Sequence, residues 1–399
     1  MTEPKAKSEA VHQLRFLHTD ELSIPTYKVI KQDGHLYKGA AEPDLDQETA
    51  LKIYDDMVFI RVLDERLIAA QRQGRISFYL ASLGEEAASV ASAHALDFND
   101  MIFAKYREQG ALRARGFTVE QFMDQNFSNE KDLGKGRQMP IHYGSSELNY
   151  MTISSPLGTQ IPQATGYAYG QKLEGEGHCT ICFFGEGAAS EGDFHAGLNM
   201  AAVLDAPVIF LCRNNGYAIS TPADEQFNGD GIASRGIGYG IATIRVDGND
   251  ALAVYLATKA AREYAVKNNK PVLIEAMSYR LGAHSTSDDP TGYRSREEEA
   301  KWAKKDPILR FKHWLTNKGW WDDDREKALY RDYRDQILTQ LKESETVAKP
   351  PLEELFKDVY HDVPVHLHEQ YETLKEHIRE YPEDYPATSG RITNIAGGE

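Results

Sequence analysis

Short β-rich runs alternate with helical stretches from about residue 75 to residue 280, and this alternation constrains the fold more than any other feature. Strands that are separated by helices run parallel, because each helix carries the chain back to the starting edge of the sheet. The clearest strands are predicted at 179–184, 207–212, 243–246 and 272–276, with helices at 160–173, 190–204 and 250–267. The sequence therefore predicts an α/β fold, a doubly wound parallel sheet with helices on both faces.

The residues that precede this region follow other patterns. Residues 1–45 lack hydrophobic periodicity and are expected to form an extended N-terminal arm. A helix is then predicted, beginning at Asp46 and ending at Gly74, with an apolar stripe along one face. The stripe consists of Leu51, Tyr54, Met57, Val58, Leu63 and Leu67. The α/β domain is assigned to residues 46–295.

The C-terminal part, residues 296–385, is predicted to be helical and is rich in charged and aromatic residues. Its aromatic residues include Trp302, Trp314, Trp320, Trp321, Tyr360, Tyr371, Tyr381 and Tyr385. A region with so many aromatic side chains is expected to pack on partner subunits. Residues 386–399 are predicted to be a disordered tail.

Composition and charge argue against several classes of function. The formal net charge is −16 and no run is rich in lysine or arginine, so no nucleic-acid partner is expected. No apolar stretch approaches the roughly 20 residues of a membrane-spanning helix, so no membrane association is expected. The N-terminus is neither arginine-rich nor poor in acidic residues, so any targeting segment is expected to be absent or already removed.

Two of the three cysteines form a C-x-x-C pattern, Cys179 and Cys182, which is a spacing found in redox and metal sites. Both lie in the predicted strand 179–184, where side chains three positions apart point to opposite faces. Their sulfur atoms could then neither form a disulfide nor share a metal, so we interpret both cysteines as core residues.

The predicted helix 160–173 carries small residues at regular intervals: Ala164, Gly166, Ala168 and Gly170. Each glycine inside a helix costs about 1 kcal/mol relative to alanine. The pattern is explained if another helix approaches closely, for example from a second subunit, and the alternative is a tolerated local weakness.

A carboxylate flanked by two glycines, GEG at 185–187, stands where the first of the clear strands ends. On its own such a tripeptide is most often a tight turn. The next strand ends in RNNGY at 213–217, and ligands of open parallel sheets collect at the carboxyl ends of the strands. Glu186 and Asn215, which are 29 positions apart, are therefore expected to face each other above the sheet.

The residue types at these two strand ends suit a magnesium-bound diphosphate. Mg²⁺ takes few protein oxygens and completes its octahedron with water and phosphate oxygens. The glycines allow a phosphate to approach the backbone, the following helix offers its N-terminal N–H groups, and Arg213 adds positive charge. A Gly-Glu-Gly start with an asparagine pair at this spacing matches the signature of thiamine diphosphate-binding proteins.

Five stretches make the resemblance specific, and it extends over residues 45–385. They are AKYREQG (104–110), SSPLGTQIPQATG (154–166), GEGAASEGDFHAGLNMAAVLDAPVIFLCRNNGYAISTP (185–222), YRLGAHSTSDDPTGYRS (279–295) and KPPLEELFKDVYHDVP (349–364). The chain resembles the alpha subunits of branched-chain 2-oxo acid dehydrogenases, the decarboxylating component of that complex. Related pyruvate dehydrogenase alpha subunits typically carry aspartate at the position of Glu186.

The resemblance implies a cofactor and the residues that hold it. Mg²⁺ would be bound by the side chains of Glu186 and Asn215 and by the backbone carbonyl of Tyr217. Residues implied to bind thiamine diphosphate are Tyr106, Arg107, Ser155, Leu157, Gly185, Glu186, Gly187, Ala188, Arg213, Asn215, Ile219 and His284. Ser155 and His284 are the implied catalytic residues, and His284 would contact the diphosphate and shape the acyl-transfer site.

Two further sets of residues match family sites. Ser154, Pro156, Thr159 and Gln160 match a structural K⁺ site that uses hydroxyl, carbonyl and amide oxygens. Such oxygens often bond only to backbone. Ser285 and Ser295 match positions that a dedicated kinase phosphorylates in the mitochondrial enzymes, and the alternative is that both are ordinary loop serines.

The resemblance also implies partners. The glutamate that activates the cofactor's aminopyrimidine comes from the beta subunit in this family, so an α₂β₂ heterotetramer with half of each active site on this chain is expected. The lipoyl acyltransferase component of the complex would receive the acyl group.

Other interpretations stay open. The chain could serve a pyruvate or acetoin dehydrogenase, or it could be a scaffold that has kept the fold without catalysis. A processed protein of the mitochondrial matrix is favoured over a bacterial cytoplasmic one, because the region after Lys349 resembles mitochondrial members more.

Overall fold

A computed structural model describes residues 12–16, 18 and 21–385, so the predicted tail and the start of the arm lie outside the described residues. These described residues form eight strands: β1 (Thr26–Tyr27), β2 (Met101–Phe103), β3 (Thr180–Gly185), β4 (Val208–Asn214), β5 (Tyr217–Ala218), β6 (Thr221–Pro222), β7 (Ala242–Asp247) and β8 (Val272–Met277). Strands β5 and β6 form a small antiparallel hairpin, and the other six form one sheet. The four strands predicted from sequence are confirmed to within two residues at each end.

The six-stranded sheet has the order β1-β7-β8-β4-β3-β2, and every neighbouring pair is parallel. Gly185 at the end of β3 pairs with Arg213 in β4, and Asn214 pairs with Met277 at the end of β8. The carboxyl ends of the central strands therefore meet at one edge of the sheet. This edge carries the loops that the sequence singled out.

Helices cover both faces of the sheet, as the alternation predicts. They are α1 (Gln47–Arg72), α2 (Glu86–His94), α3 (Gln109–Ala114), α4 (Val119–Asn126), α5 (Gln160–Glu174), α6 (Gly192–Leu204), α7 (Ala223–Gln226), α8 (Ala233–Gly238), α9 (Ala251–Asn268), α10 (Arg296–Ala303), α11 (Pro307–Asn317), α12 (Asp323–Glu345) and α13 (Val365–Glu380). One core contains one face of the sheet with α9, α2 and α1, and a second core lies between the sheet, α5 and α6. Cys179 belongs to the first core and Cys182 to the second, and both are free, which confirms that they occupy opposite faces.

Helix α1 begins where the sequence places it, because the Asp46 carboxylate accepts a hydrogen bond from the Thr49 backbone N–H at 2.8 Å. It is buried on more than the predicted single stripe, since Phe59 and Ile60 are buried as well. Helices α2, α3, α11 and α12 pack around it, which explains the extra burial.

The tryptophans of the C-terminal region pack within this chain. Trp302 stacks on Tyr279 at 5.1 Å between ring centroids, Trp314 stacks on Phe311 at 5.4 Å, and Trp321 meets Tyr54 edge-on at 5.0 Å. Exposed apolar side chains occur further along: Leu355, Val359, Tyr360, Val365 and Tyr381. Packing on partner subunits thus remains a prediction for the part of the chain after residue 350.

The second half of the arm is docked on the α/β domain. Strand β1 extends the sheet beside β7, and the Asp250 carboxylate accepts hydrogen bonds from the backbone N–H groups of Val29 and Ile30 at 2.7 and 2.8 Å. The buried Arg310 guanidinium donates to the Ile30 carbonyl at 3.0 Å. Within the described part of the chain, no helix has the length and apolar character needed to cross a bilayer.

Candidate functional site

The loops that follow β2, β3, β4 and β8 surround one cleft of about 250 Å³ at the carboxyl edge of the sheet. The cofactor- and magnesium-binding residues predicted from sequence that line it are Tyr106, Arg107, Leu157, Gly185, Glu186, Gly187, Ala188, Arg213, Asn215, Tyr217, Ile219 and His284. The cleft is also lined by Lys105, Glu191 and Arg280, to which the sequence gave no role. Position at the strand ends is thus what brings these distant residues together.

Glu186 is buried at the floor of the cleft and lies next to Asn215, as expected. The Asn215 backbone N–H donates to Glu186 Oε2 at 3.3 Å, while Glu186 Oε1 is buried and finds no hydrogen-bond partner among the described residues. Burial raises the pKa of Glu186 to about 7, and the nearby Glu85 carboxylate adds to this effect. Arg213 offsets part of this rise, but Glu186 forms no direct ion pair among the described residues, and a metal ion would supply one.

Arg213 is held by two buried carboxylates from other loops. Its Nη1 donates to Glu85 Oε1 at 2.7 Å and its Nε donates to Glu108 Oε1 at 2.5 Å. Burial alone would lower the pKa of Arg213, but Glu108 and Glu85 outweigh it and raise the pKa. The positive charge of Arg213, which the sequence analysis assigned to a phosphate, is thus balanced by Glu85 and Glu108. Arg213 still lines the cleft.

Glu85 also reaches the metal-ligand candidate Asn215, whose Nδ2 donates to Glu85 Oε1 at 3.3 Å. This contact fixes the amide orientation and turns Asn215 Oδ1 toward the Tyr217 backbone N–H, at 3.1 Å. A carbonyl oxygen has two lone pairs, so Asn215 Oδ1 can still accept a cation. No group of three or more His, Cys, Asp or Glu residues in the described ranges is arranged to hold a metal, so a metal here needs amide, carbonyl or phosphate oxygens as well.

Arg107 and Arg280 converge on His284 on the opposite wall. Arg107 Nη2 lies 3.2 Å from His284 Nδ1 and donates to the His284 carbonyl at 2.5 Å, and Arg280 Nη1 lies 3.4 Å from the same Nδ1. Burial and the two guanidinium groups lower the pKa of His284 to about 4. The imidazole is therefore neutral at pH 7, and because Nδ1 faces donors, its proton is on Nε2.

Ile219 stands in the left-handed region of backbone conformation with φ of 59°, which is unusual for a β-branched residue. Its carbonyl accepts a hydrogen bond from Arg280 Nη2 at 2.8 Å, so the strained turn is tied to the His284 wall. The Tyr217 ring is engaged elsewhere, because its hydroxyl donates to the Glu298 carboxylate at 3.0 Å. A metal contact by Tyr217 would thus use its backbone only.

Ser155 lies beside the cleft and does not line it. Its Oγ is 2.9 Å from His142 Nε2, and His142 Nδ1 is 3.1 Å from the Pro140 carbonyl. A carbonyl can only accept, so Nδ1 carries the imidazole proton and the Ser155 hydroxyl donates to Nε2. Burial lowers the pKa of His142, which keeps this arrangement neutral.

The two glycines around Glu186 differ in what they permit. A Cβ on Gly187 would lie 2.8 Å from the Ala218 Cβ, whereas a Cβ on Gly185 would meet nothing closer than 3.9 Å. Gly187 thus allows the β5 hairpin to pack, and Gly185 leaves open space at the cleft. The helix expected after Glu186 is a 3₁₀ turn, Glu186–Ser190, and α6 begins only at Gly192, so the N–H groups at the cleft belong to that turn.

The four residues predicted to bind K⁺ are close together at the start of α5. Thr159 Oγ1 lies 3.1 Å from Ser154 Oγ and donates to the Pro156 carbonyl at 3.2 Å, while Gln160 Nε2 donates to the Phe183 carbonyl at 3.0 Å. The Lys105 ammonium lies at the same place, because it donates to the carbonyl oxygens of Ser154 and Pro156.

The predicted phosphorylation positions lie in the loop after β8. Ser285 directly follows His284, and its Oγ is 3.0 Å from Ser287 Oγ. Ser295 is exposed and caps helix α10, where its Oγ accepts from the Glu298 N–H at 3.1 Å. Only Ser285 is therefore adjacent to the cleft.

Sequence reasoning missed Lys105, Glu85, Glu108, His142 and Arg280. One signal was available for Glu85, because Gly84-Glu85 also joins a glycine to a glutamate before a helix, and Gly84 has φ of 88°. Lys105 and Glu108 belong to the stretch AKYREQG, but one sequence does not show that Lys105 reaches the carbonyls before α5 or that Glu108 pairs with Arg213 of β4.

Fold and cleft together define an α/β protein with a cleft lined by charged and polar residues at the carboxyl edge of a parallel sheet. The family profile described as "Dehydrogenase E1 component" matches residues 54–353, which is more than half of the chain. The chain therefore belongs to the dehydrogenase E1 component family, and this membership implies thiamine diphosphate as its cofactor.

Curated relatives extend the match beyond the family profile. The chain is 51% identical over 385 residues to the protein named 2-oxoisovalerate dehydrogenase subunit alpha, mitochondrial, of Bos taurus, covering 96% of this chain and 85% of that protein. The Homo sapiens protein of the same name is also 51% identical, with 96% and 86% covered. The Arabidopsis thaliana protein named subunit alpha 1 is 50% identical, with 96% and 82% covered.

Proposed function

We propose that this chain is the alpha subunit of a branched-chain 2-oxo acid dehydrogenase, which decarboxylates the 2-oxo acids of leucine, isoleucine and valine. The observation that carries the proposal is 51% identity, across 96% of the chain, to alpha subunits named for 2-oxoisovalerate. Two stretches support this branch over the pyruvate enzymes. Glu186 stands where those enzymes typically carry aspartate, and the residues after the asparagine pair in RNNGYAIS differ from their pattern.

The residues at the cleft fit a magnesium-bound diphosphate. The unpartnered Glu186 Oε1 and the second lone pair of Asn215 Oδ1 would hold Mg²⁺ together with the Tyr217 carbonyl. Arg107 and Tyr106, with the N–H groups of Gly187 and Ala188 in the 3₁₀ turn, would hold the phosphates.

When bound, thiamine diphosphate supplies the carbon nucleophile and the electron acceptor for decarboxylation. The chain's own contribution is orientation and proton placement. Arg107 and Arg280 fix the His284 ring so that its Nε2–H can donate, either to the diphosphate or to an oxygen of the reacting group. His142 holds the Ser155 hydroxyl in one orientation, and Leu157 contributes apolar surface that excludes water.

This chain would provide half of an active site. Ser155 is exposed, and Leu157 is 46% exposed, although both are expected to lie beside the cofactor. The cleft of about 250 Å³ is also smaller than the roughly 300–1,000 Å³ of typical cofactor pockets. A beta subunit that covers these residues would complete the site and would bring the activating glutamate, in an α₂β₂ assembly.

The other partners and the location belong to the same proposal. The acyl group would pass to a lipoyl group of the acyltransferase component, a kinase would act on Ser285 and Ser295, and the processed chain would function in the mitochondrial matrix. The names of the relatives from Bos taurus and Arabidopsis thaliana, which include the word mitochondrial, support that compartment.

The substrate assignment is tested by turnover of the assembly of this chain with its beta subunit. We expect decarboxylation of 3-methyl-2-oxobutanoate with a kcat/KM at least tenfold above that of pyruvate, and no turnover by this chain alone with cofactor. A preference for pyruvate would contradict the substrate class, and turnover by the chain alone would contradict the divided site.

A further inference from the structure

Three successive backbone carbonyls of the segment before α5 point at one spot, and a lysine ammonium occupies it. Lys105 Nζ donates to the carbonyl oxygens of Ser154, Ser155 and Pro156 at 2.5, 3.0 and 2.9 Å. An ammonium group has three N–H donors, so these carbonyls use all of them. Lys105 is only 3% exposed.

This arrangement does not fit the potassium site that the resemblance implied. Ser154 and Pro156 belong to that predicted site, and the carbonyl oxygens of both already accept from Lys105. A potassium ion at the same oxygens would lie in contact with a like charge, in a buried place where screening is weak. The residues present therefore accommodate the ammonium or the ion, not both.

A cation at this spot connects two walls of the cleft. Lys105 directly precedes Tyr106 and Arg107, and the carbonyls that it binds directly precede Leu157, which also lines the cleft. The Lys105 backbone N–H is itself anchored, because it donates to Glu108 Oε2 at 2.7 Å. One charge thus fixes the segment 154–157 relative to the segment 105–108.

We propose that the Lys105 ammonium replaces the structural potassium ion, so that this chain positions its cofactor-binding segments without potassium. The inference rests on the proposed cofactor site, and it adds a positioning residue with a built-in cation. Gln160 Oε1, which is buried and has no hydrogen-bond partner among the described residues, would remain as an oxygen ligand if the lysine were removed. Removing Lys105 should therefore create a requirement for potassium.

The test compares two salts at equal ionic strength, potassium chloride and choline chloride, on the assembly with the beta subunit. Calorimetry gives the Kd of thiamine diphosphate with Mg²⁺, and scanning fluorimetry gives the Tm with and without cofactor. For the unmodified chain we expect Kd values that agree within twofold in the two salts. A Kd at least tenfold tighter in potassium would overturn the proposal.

The variants are Lys105→Gln and Lys105→Met. Both should bind the cofactor at least tenfold more weakly in choline, and potassium should restore the affinity. Lys349→Gln is the matched control, because the Lys349 ammonium also donates to a backbone carbonyl, that of Phe127, away from the cleft. Wild-type affinity of Lys105→Gln in choline, or a loss that potassium does not restore, would contradict the replacement.

Failure of the Lys105 proposal can be told apart from failure of the proposed function. If the variants do not fold, the comparison of Kd values in potassium and choline chloride for the unmodified chain still tests whether potassium is needed. If no thiamine diphosphate binds in either salt, the proposed function fails, while the Tm of the cofactor-free assembly still tests the lysine. A Tm that rises by several degrees in potassium over choline would show that an ion binds in spite of Lys105 and would overturn the inference.

Discussion

Two buried glutamates, Glu86 and Glu186, differ in whether the chain itself supplies a positively charged partner. Burial raises the pKa of both Glu86 and Glu186 to about 7. Glu86 is satisfied, because it accepts from Arg61 Nε at 2.7 Å and from the Gly84 N–H at 3.0 Å. Glu186 has one backbone donor and an oxygen without a partner among the described residues.

Glu186→Gln and Glu86→Gln should therefore fail in different ways. For Glu186→Gln we expect the Kd of thiamine diphosphate with Mg²⁺ to rise about 100-fold or more, with an unchanged or higher Tm, because an uncompensated buried charge is removed. For Glu86→Gln we expect a lower Tm, since breaking a buried ion pair costs about 3–5 kcal/mol. Calorimetry and thermal unfolding distinguish the two, and a Glu186→Gln chain that binds cofactor normally would exclude the metal role.

Asp64 links helix α1 to the segment that leads to Glu85, and it gives stability a pH dependence. Its carboxylate accepts from Tyr79 Oη at 2.7 Å and from the Ser82 N–H at 2.7 Å. Burial raises the pKa of Asp64 to about 6, above its ordinary 3.8. The folded state then holds the proton more tightly than the unfolded state, so this contribution to stability is present below pH 4 and is lost as pH rises to 6.

Asp64→Asn should remove that contribution. One pKa unit corresponds to about 1.4 kcal/mol, so about two units give roughly 3 kcal/mol between pH 4 and pH 7. We expect the Tm of the variant minus that of the wild type to rise as pH increases from 4.5 to 7. A difference that does not change with pH would mean that Asp64 ionises normally in the folded protein.

Among the helices, α5 and α6 carry glycines for two different reasons. Gly197 of α6 permits close packing, because a Cβ there would lie 2.8 Å from Ile161 Cγ2 and 3.1 Å from the Pro162 nitrogen. Gly166 and Gly170 of α5 meet nothing within 4 Å. Packing within this chain thus explains Gly197 but not the two glycines of α5. For those, the predicted approach of another subunit remains the explanation that we test.

The double substitution Gly166→Ala with Gly170→Ala should separate folding from assembly. Alanine is favoured over glycine in a helix by about 1 kcal/mol per position. We expect a Tm of the unassembled chain that is equal or higher, together with a heterotetramer that dissociates at least tenfold more readily in analytical ultracentrifugation. Gly197→Ala is the control that should lower the Tm, and unchanged assembly of the double variant would contradict an interface at α5.

The loop that carries His284 is held by charged groups, which makes it sensitive to added charge. Asp288 accepts from the His284 N–H at 2.7 Å and from Tyr293 Oη at 2.6 Å, and Arg294 donates to the Gly282 carbonyl at 2.8 Å. A negative group at Ser285 would oppose Asp288 and compete for the guanidinium groups beside His284.

Ser285→Glu, as a mimic of phosphorylation, should weaken thiamine diphosphate binding about tenfold and speed proteolytic cleavage of this loop. Ser295→Glu is the matched control, because Ser295 is exposed at the N-terminus of α10, where negative charge is favourable. We expect its Kd to stay within about threefold of wild type. Equal effects of the two substitutions would show that charge at Ser285 does not act through His284.

Periodicity and strand-end position predicted the main elements well, but side-chain direction in loops was not predictable. Strands of six or seven residues with apolar runs, such as β3 and β4, were found at their expected places. Strands β1 and β2 have two and three residues, too few for a pattern, and only pairing with distant strands makes them visible. Lys105 was missed for a similar reason, because its role depends on carbonyls about 50 positions away.

At the scale of the whole molecule, the core is packed within the chain, whereas residues expected beside the cofactor are left exposed. The tryptophans of the C-terminal region and the docked arm complete the packing around α1 and α9 within the chain. The surfaces that the chain leaves uncovered include Leu157 beside the cleft, the glycine face of α5, and Tyr360 near the C-terminus. These three surfaces are the places where we expect the beta subunit or a second alpha subunit to bind.

The most direct measurement of the central claim is a calorimetric titration of thiamine diphosphate into the assembly of this chain with its beta subunit. We predict one binding site per alpha chain when Mg²⁺ is present and at least a 100-fold loss of affinity when Mg²⁺ is chelated. The Glu186→Gln assembly should show the same loss with Mg²⁺ present. Absence of binding, or equal affinity with and without a divalent cation, would contradict the account.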